Sequence, residues 1–253
     1  MTVVQNLNDS LDDYAVREQA GKDLLDLLSA DYFASYVWDD DGRNFARPVF
    51  LNMSPENLAL YEQYFQYNDP ITFKLQPYRR AVSVNEVIDQ KDLLNTEFFT
   101  DFLDKDGLFH GINIYVYDNG NKNIGDFRIW RGKKKSNFSR SDLKILDMIA
   151  PHFRNAMRNI EFAKHLPPTL DLDDICKKLA DEYSLTKRER EIAVAVLHGK
   201  SDRQISSEKN ISVATLRTHL RHIFHKVDVG SRAELCGRVV FDHGHESRSQ
   251  RLT

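Results

Sequence analysis

The stretch "ISVATLRTHLRHIFHKV", residues 211–227, sets an apolar repeat among six cationic or titratable side chains. Leu216, Leu220, Ile223 and Val227 recur at steps of four, three and four, the spacing of one buried face on an amphipathic helix. The other face is basic. Arg217 and Arg221 stand four apart, one above the other, with Thr218 beside them. Ser212 is a favoured N-cap and starts the helix at Val213.

A charged helix face usually does no more than meet water. The neighbouring segments argue for more here. Upstream, in "LTKREREIAVAVLHGKS" (185–201), Thr186 caps a helix that carries Ile192 and Val196 and stops at Gly199. In "SDRQISSEKNIS" (201–212), Ser201 caps a two-turn helix holding Ile205, and Lys209 with Asn210 supplies the turn. Downstream, "VDVGSRAEL" (227–235) is a short loop and a Ser231-capped helix reaching about Phe241. A short helix, a tight turn and a longer basic helix spell a helix-turn-helix, whose second helix lies in the DNA major groove.

The segments "LTKRERE", "GKSDRQIS", "ISVATLRTHLRHIFHKV" and "SRAEL", in this order and spacing, closely resemble the DNA-binding domain of LuxR-type transcriptional regulators over residues 184–241. Asp202 stands where that family commonly has Asn, and Val229 and Gly230 occupy its variable loop. The resemblance implies that Arg217, Thr218 and Arg221 face bases while Thr215, Lys226 and Ser231 lie near phosphates. Arg203, Ser212 and His225 complete the DNA-contacting set implied in this way. The chemistry agrees, since Arg pairs bidentately with guanine and hydroxyls or Lys suit phosphate oxygens.

Charge is divided along the chain. Residues 184–253 hold 13 Lys and Arg against 8 Asp and Glu, whereas residues 1–183 hold 22 against 30. A basic C-terminal part inside a chain of net charge −3 is expected when one domain meets phosphate and the other does not. His219, His222 and His225 have no Cys or carboxylate cluster beside them, so no metal site or other cofactor is expected. Two cysteines far apart imply no disulfide framework, no apolar stretch approaches membrane-spanning length, and the N-terminus lacks a leader pattern. The expectation is a cytoplasmic protein with no membrane partner.

The remaining residues read as an α+β sensory domain over 1–165, a linker with a short acidic helix over 166–183, and a disordered tail over 242–253. Pro167 and Pro168 mark the boundary, and the acidic helix is placed at about Asp171 to Glu182. Helices are expected at about Ser10–Leu28, at 55–67 behind a Ser54 cap, at Asp92–Leu103 and from Ser141 to His165. Strands are expected at "YFASYVW", "PVFLNM", "GINIYVY" and "DFRIW". An antiparallel sheet flanked by helices in this order resembles a GAF- or PAS-type sensory domain, followed here by an all-α, four-helix helix-turn-helix domain. "YEQYFQYNDP", "TEFFTDFL" and "APHFRNAM" are similar to stretches in LuxR-type regulators with GAF-like sensors.

Such domains hold small molecules between the sheet and its covering helices. Tyr61, Tyr64, Phe65, Asp69, Phe98, Phe99, Tyr115 and Trp130 are the candidate lining, an aromatic set whose hydroxyls need partners if buried. A plain aromatic core explains any single ring equally well. Asp69 precedes Pro70, and acyl-homoserine-lactone receptors bind ligand through an Asp in a comparable step, but the tryptophans flanking that step in those receptors are missing here. A phosphorylated receiver is excluded because the acceptor position holds Asn52. The absence of a nucleophile elbow, a phosphate-binding Gly loop and an HExxH pair argues against an enzyme.

On the helix from Ser141, Leu146, Ile149, Phe153, Ala156 and Ile160 repeat at steps of three and four, the seam of a short coiled coil. The whole reads as a regulator binding double-stranded DNA as a homodimer, with a small organic ligand and RNA polymerase as further partners. The alternatives are a quorum-sensing lactone receptor and an N-terminal domain that only dimerises or docks another protein.

Overall fold

The computed structural model describes residues 2–7, 10, 12–39, 43–118, 120–164, 177, 181–232 and 234–238. The chain forms two compact units, one of residues 1–7 and 14–157, the other of residues 8–13 and 158–253. The division falls inside a helix rather than at the Pro167–Pro168 step, and most of the expected linker, the tail and Phe241 lie outside the described residues.

The first unit opens with helices α1 (Thr2–Asn6) and α2 (Asp13–Leu27), then strands β1 (Tyr32–Asp39) and β2 (Asn44–Leu51). Ser54 caps α3 (Pro55–Leu60), accepting from the Asn57 N–H at 3.3 Å. A π-helical turn (Tyr61–Phe65) and α4 (Gln66–Asn68) continue it. Asp69 turns extended before Pro70, as the residue preceding proline prefers, and α5 (Thr72–Leu75) follows. Next come β3 (Val82–Ser83), α6 (Gln90–Leu94), a second π turn (Phe99–Leu103) and α7 (Asp104–Asp106). Strands β4 (His110–Tyr117) and β5 (Asn123–Arg131) lead to α8 (Arg140–Lys164).

The five strands pair antiparallel in the order β2-β1-β5-β4-β3. Both faces are covered, so the strands read as apolar runs with only weak alternation. One face meets α2 and α8: Phe127 of β5 lies 5.6 Å from Phe33 of β1 and 4.3 Å from Phe153 of α8. A bulge in β2, where Arg47 and Pro48 stand opposite Tyr36 of β1, interrupts the ladder there. The fully buried Arg17 of α2 bonds at this point, donating to the carbonyls of Ser35 (3.1 Å) and Arg47 (2.7 Å). The opposite face carries Tyr36, Tyr115 and Trp130 into an aromatic core with Tyr61, Phe65, Phe98 and Phe102.

Two expectations change here, and one strand, β3, is not signalled by the sequence. The helix placed at Asp92–Leu103 is interrupted, because Thr96 Oγ1 donates to the Leu93 carbonyl (2.7 Å) and accepts from the Phe99 N–H (3.1 Å), ending one segment and capping the next. The short β3 has too few residues for alternation to show. On α8, Leu146, Ile149, Phe153, Ala156 and Ile160 are all buried within the single chain. That stripe faces the protein's own interior, so it is no coiled-coil seam; steps of three and four serve both purposes alike. The helix runs unbroken through Pro151.

In the second unit α9 (Lys187–Leu197), α10 (Asp202–Lys209) and α11 (Val213–Val227) start where their caps dictate. Thr186 with Glu189, and Ser201 with Gln204, form capping boxes. Asn210 closes α10 in the left-handed conformation (φ 51°), which Asn tolerates better than most residues. Ile192, Val196, Ile205, Leu216, Ile223 and Val227 make the core, joined by Leu235 and Cys236 from a last helical stretch at 234–238.

Gly21 sets how closely α2 approaches the sheet: a methyl group there would sit 2.5 Å from Phe33 Cδ1 and 2.9 Å from Leu51 Cδ1. Gly21→Ala gains about 1 kcal/mol of helix propensity but overpacks at a cost of about 1–3 kcal/mol. We expect a net loss, seen as a lower urea midpoint; a raised midpoint would mean that α2 does not press on β1.

Candidate functional site

The outer face of α11 is built by its own sequence. Its apolar stripe is spent on the core, which leaves Thr215, Thr218, Arg221 and His225 exposed on one side, with Arg203 of α10 exposed as well. Arg221 forms no ion pair among the described residues, so its guanidinium remains available to a partner. Ser212 and Ser231 act within the domain as caps, accepting from the backbone N–H of Thr215 (3.0 Å) and Glu234 (3.2 Å).

Two of the expected DNA-facing cations are engaged inside the domain. Lys226 Nζ lies 2.7 Å from Glu189 Oε2 and donates to the Ser184 carbonyl at 3.1 Å. Arg217 Nε lies 3.3 Å from Asp202 Oδ2. Asp202 is buried and its other oxygen accepts from Arg232, which also donates to the Lys200 carbonyl. Arg217 is thus braced from α10, with its side chain still 38% exposed. Neither Asp202 nor Glu189 could be matched to these cations by helical spacing, because the pairs join residues 15 and 37 apart in sequence. Burial pushes the Glu189 carboxyl up, but the hydrogen bond from Lys226 and that from the Thr186 backbone outweigh it and hold it below its ordinary value of 4.5.

In the first unit a cavity of about 30 Å³ lies between the sheet and the helices over it. At about 10–15 Å³ for one water, it suits a group of a few heavy atoms. Of the residues expected there, Tyr61, Asp69, Phe98 and Trp130 line it. Phe65, Phe99 and Tyr115 are buried but stand behind the lining, and Tyr64 is 41% exposed with its hydroxyl on Glu97. Tyr64 therefore lies off the site. Trp130 reaches its place because β4 has Gly111 opposite it; a side chain at Gly111 would meet the indole at 2.7 Å.

The sequence reading overlooked Arg128, Asn113, Thr72 and Ala34. Arg128 is buried with its guanidinium over the rings of Phe45 (4.3 Å) and Tyr36 (4.7 Å). Its Nε donates to Asp126 Oδ2 at 2.9 Å, and its Nη1 donates to the Tyr61 hydroxyl. Burial pushes Asp126 above its ordinary value, against the pull of Arg128 and of the Tyr36 N–H. For Arg128, burial opposes the charge, but Asp126 and the tyrosine oxygens more than compensate. Burial likewise raises the Tyr36, Tyr61 and Tyr115 hydroxyls above their ordinary value of 10, so each stays protonated and can donate. Alternation offered one clue: Asn113 with Tyr115, and Arg128 with Trp130, are polar–aromatic pairs two apart on otherwise apolar strands.

Residues 183–238 match the family described as bacterial regulatory proteins, luxR family. These residues are a LuxR-family helix-turn-helix domain. A monoamine regulon transcriptional regulator of Klebsiella aerogenes is 46% identical over 55 residues, covering 22% of this chain and 24% of that protein. An HTH-type transcriptional regulator of Aeromonas salmonicida is 30% identical over 114 residues, covering 40% and 58%. The chain thus spans about a quarter of the first relative and little more than half of the second. Among solved structures, Escherichia coli SdiA is 15% identical with a TM-score of 0.46, covering 94% of each chain. The GAF domain of an Acinetobacter phosphoenolpyruvate-protein phosphotransferase is 14% identical with a TM-score of 0.46, covering 63% of this chain and 90% of that one. Among the described residues no helix is long and apolar enough to cross a membrane.

The Glu189–Lys226 bond carries a pH signature. Because the folded carboxyl titrates below 4.5, the bond contributes fully at neutral pH and is lost as the pH falls through that lower folded value. Glu189→Gln keeps an acceptor for the Thr186 N–H and removes the charge. The variant should be less stable than wild type at pH 7, and urea unfolding should show the gap closing as the pH falls from 4.5 through that lower folded value. In the first unit, Arg128→Met strands the Asp126 carboxyl and should cost about 3–5 kcal/mol by the same measurement.

Proposed function

We propose that the chain is a transcriptional regulator: residues 184–241 read double-stranded DNA, and a small organic molecule held in residues 1–165 modulates that binding. The observation that carries the reading is the outer face of α11, where Thr215, Thr218, Arg221 and His225 are exposed while the opposite face is wholly committed to the core. A capped helix of this kind, second in a helix-turn-helix, places its side chains against base edges in the major groove. Arg221 is the first base-reading residue. Arg217, braced by Asp202, follows it on the same face, and Thr215, Thr218, Arg203 and His225 flank them.

Lys226, Ser212 and Ser231 act mainly by holding α11 and its neighbours in place. Ligand sensing is supported by the cavity in the first unit and its buried polar lining. One recognition helix reads few base pairs, so the reading includes two copies on a near-palindromic site. They would pair through a surface other than the buried stripe of α8.

Duplexes selected from a random pool by the full chain supply the site for titration. Arg221→Ala should weaken that site by about 1–3 kcal/mol and relax preference at one or two base pairs without changing thermal stability. Lys226→Ala should instead lower the stability of the helix-turn-helix. Unaltered affinity and base preference in Arg221→Ala would overturn the docking of α11.

A further inference from the structure

The Asp69 carboxylate sets the direction of the hydrogen bonds in the cavity wall. It can only accept. Its Oδ1 takes the backbone N–H of Ile71 (2.7 Å) and of Thr72 (3.1 Å); its Oδ2 takes the hydroxyls of Thr72 (2.5 Å) and Tyr61 (3.3 Å). Four donors fill its acceptor sites, so Asp69 has nothing left for a ligand. Thr72, having spent its proton, accepts from Tyr115 (3.3 Å). Tyr115 in turn accepts from the amide nitrogen of Asn113 (3.1 Å). This chain decides which way the Asn113 amide faces: its nitrogen is committed and its Oδ1 is left over. Along the other branch Tyr61 donates to Asp69 and so accepts from Arg128 Nη1.

Two buried atoms end these chains with no hydrogen-bond partner among the described residues, Asn113 Oδ1 and Arg128 Nη2. Nη2 lies 2.8 Å from Asp126 Oδ2 as an ion pair; it carries two N–H groups, so the pair does not use up its capacity to donate. Asn113 and Arg128 are directly opposite each other on β4 and β5, both less than one-tenth exposed, and both line the cavity. The next position along that row, on β1, is Ala34, whose small side chain leaves the space open. A leftover acceptor beside a leftover donor is the complement of an amide edge.

We propose, resting on the reading that this unit takes a small ligand, that the cavity binds an uncharged amide or urea of about four heavy atoms. Its N–H donates to Asn113 Oδ1, and its carbonyl oxygen accepts from Arg128 Nη2. A carboxylate would set oxygen against the Asn113 oxygen and bring a second negative charge to a wall that already holds the Asp69 carboxylate, while the Arg128 guanidinium is already paired with Asp126. An amidinium or ammonium group has nothing to offer Arg128 and is repelled by it. A purely apolar group leaves both polar atoms unsatisfied, which is the costly case.

Four planar probes of nearly one shape separate these cases: acetamide, acetone, acetate and acetamidinium. They are titrated into the full chain without DNA, following the indole N–H resonance of Trp130, with Trp38 as the control outside the lining. Acetamide should saturate in the millimolar range, within the ceiling for a ligand of four heavy atoms, and bind more tightly than the other three by about tenfold or more. In Asn113→Leu the advantage of acetamide over acetone should vanish. Ala34→Leu, which fills the cavity beside Arg128, should abolish all binding if Asn113→Leu fails to fold.

Equal binding of acetamide and acetone, tighter binding of acetate, or no saturation by any probe would overturn the proposal, the last meaning that water alone satisfies the two atoms. DNA affinity is measured separately, with and without acetamide. Binding at Trp130 with no change in DNA affinity supports this site and counts against ligand control of DNA binding; intact DNA binding with no amide bound overturns this inference alone.

Discussion

A guanidinium stands in the middle of the sheet of the first unit, away from water, and its environment is arranged around the need to keep it charged. Arg128 cannot lose its proton, and a lone buried cation costs several kcal/mol. Asp126, two residues earlier on the same face, supplies the counter-charge, and the rings of Tyr36 and Phe45 offer their faces. Asp126 is held in turn by the backbone N–H of Tyr36 at 2.7 Å. The pair therefore ties β1 to β5 and brings the aromatic residues of the covering segments in around it. Tyr61, carried on the π turn, is the link from this pair to Asp69 and so to the start of α5.

The same physics governs the second unit on a smaller scale. Asp202 is buried between Arg217 and Arg232, and Glu189 is buried beneath Lys226. Each carboxylate sits in the first turn of its helix, where the positive end of the helix dipole favours it. Each draws a cation from α11 or the segment after it. The angle between α10 and α11 is thus fixed by charge as well as by the Ile205 and Leu216 core. A part of the basic character of residues 211–227 is structural, and the outward-facing remainder is smaller than composition suggests.

Much of the second unit was legible because its determinants are local. Thr186, Ser201 and Ser212 bond to backbone groups three residues on, and Leu216 to Val227 share a face because a helix repeats every 3.6 residues. The first unit was legible at the level of strands and helices and much less so in its site. Tyr61, Asp69, Phe98 and Trp130 were marked as aromatic or acidic candidates, yet Arg128 and Asn113 escaped notice. Nothing within a few residues of either shows that they stand side by side.

The sequence alone therefore determined the caps, the helix starts, the turn at Asn210 and the apolar stripes, since each depends on contacts within one turn of the chain. Only the tertiary structure decided what those stripes face. Spacing could not show that the stripe on α8 packs inward on Phe127, because an intrachain core and an interchain seam ask for the same repeat. Nor could it show that Asn113 meets Arg128, since that neighbour is set by strand register across a 15-residue separation, and a shift of one residue would turn each side chain to the other face of the sheet.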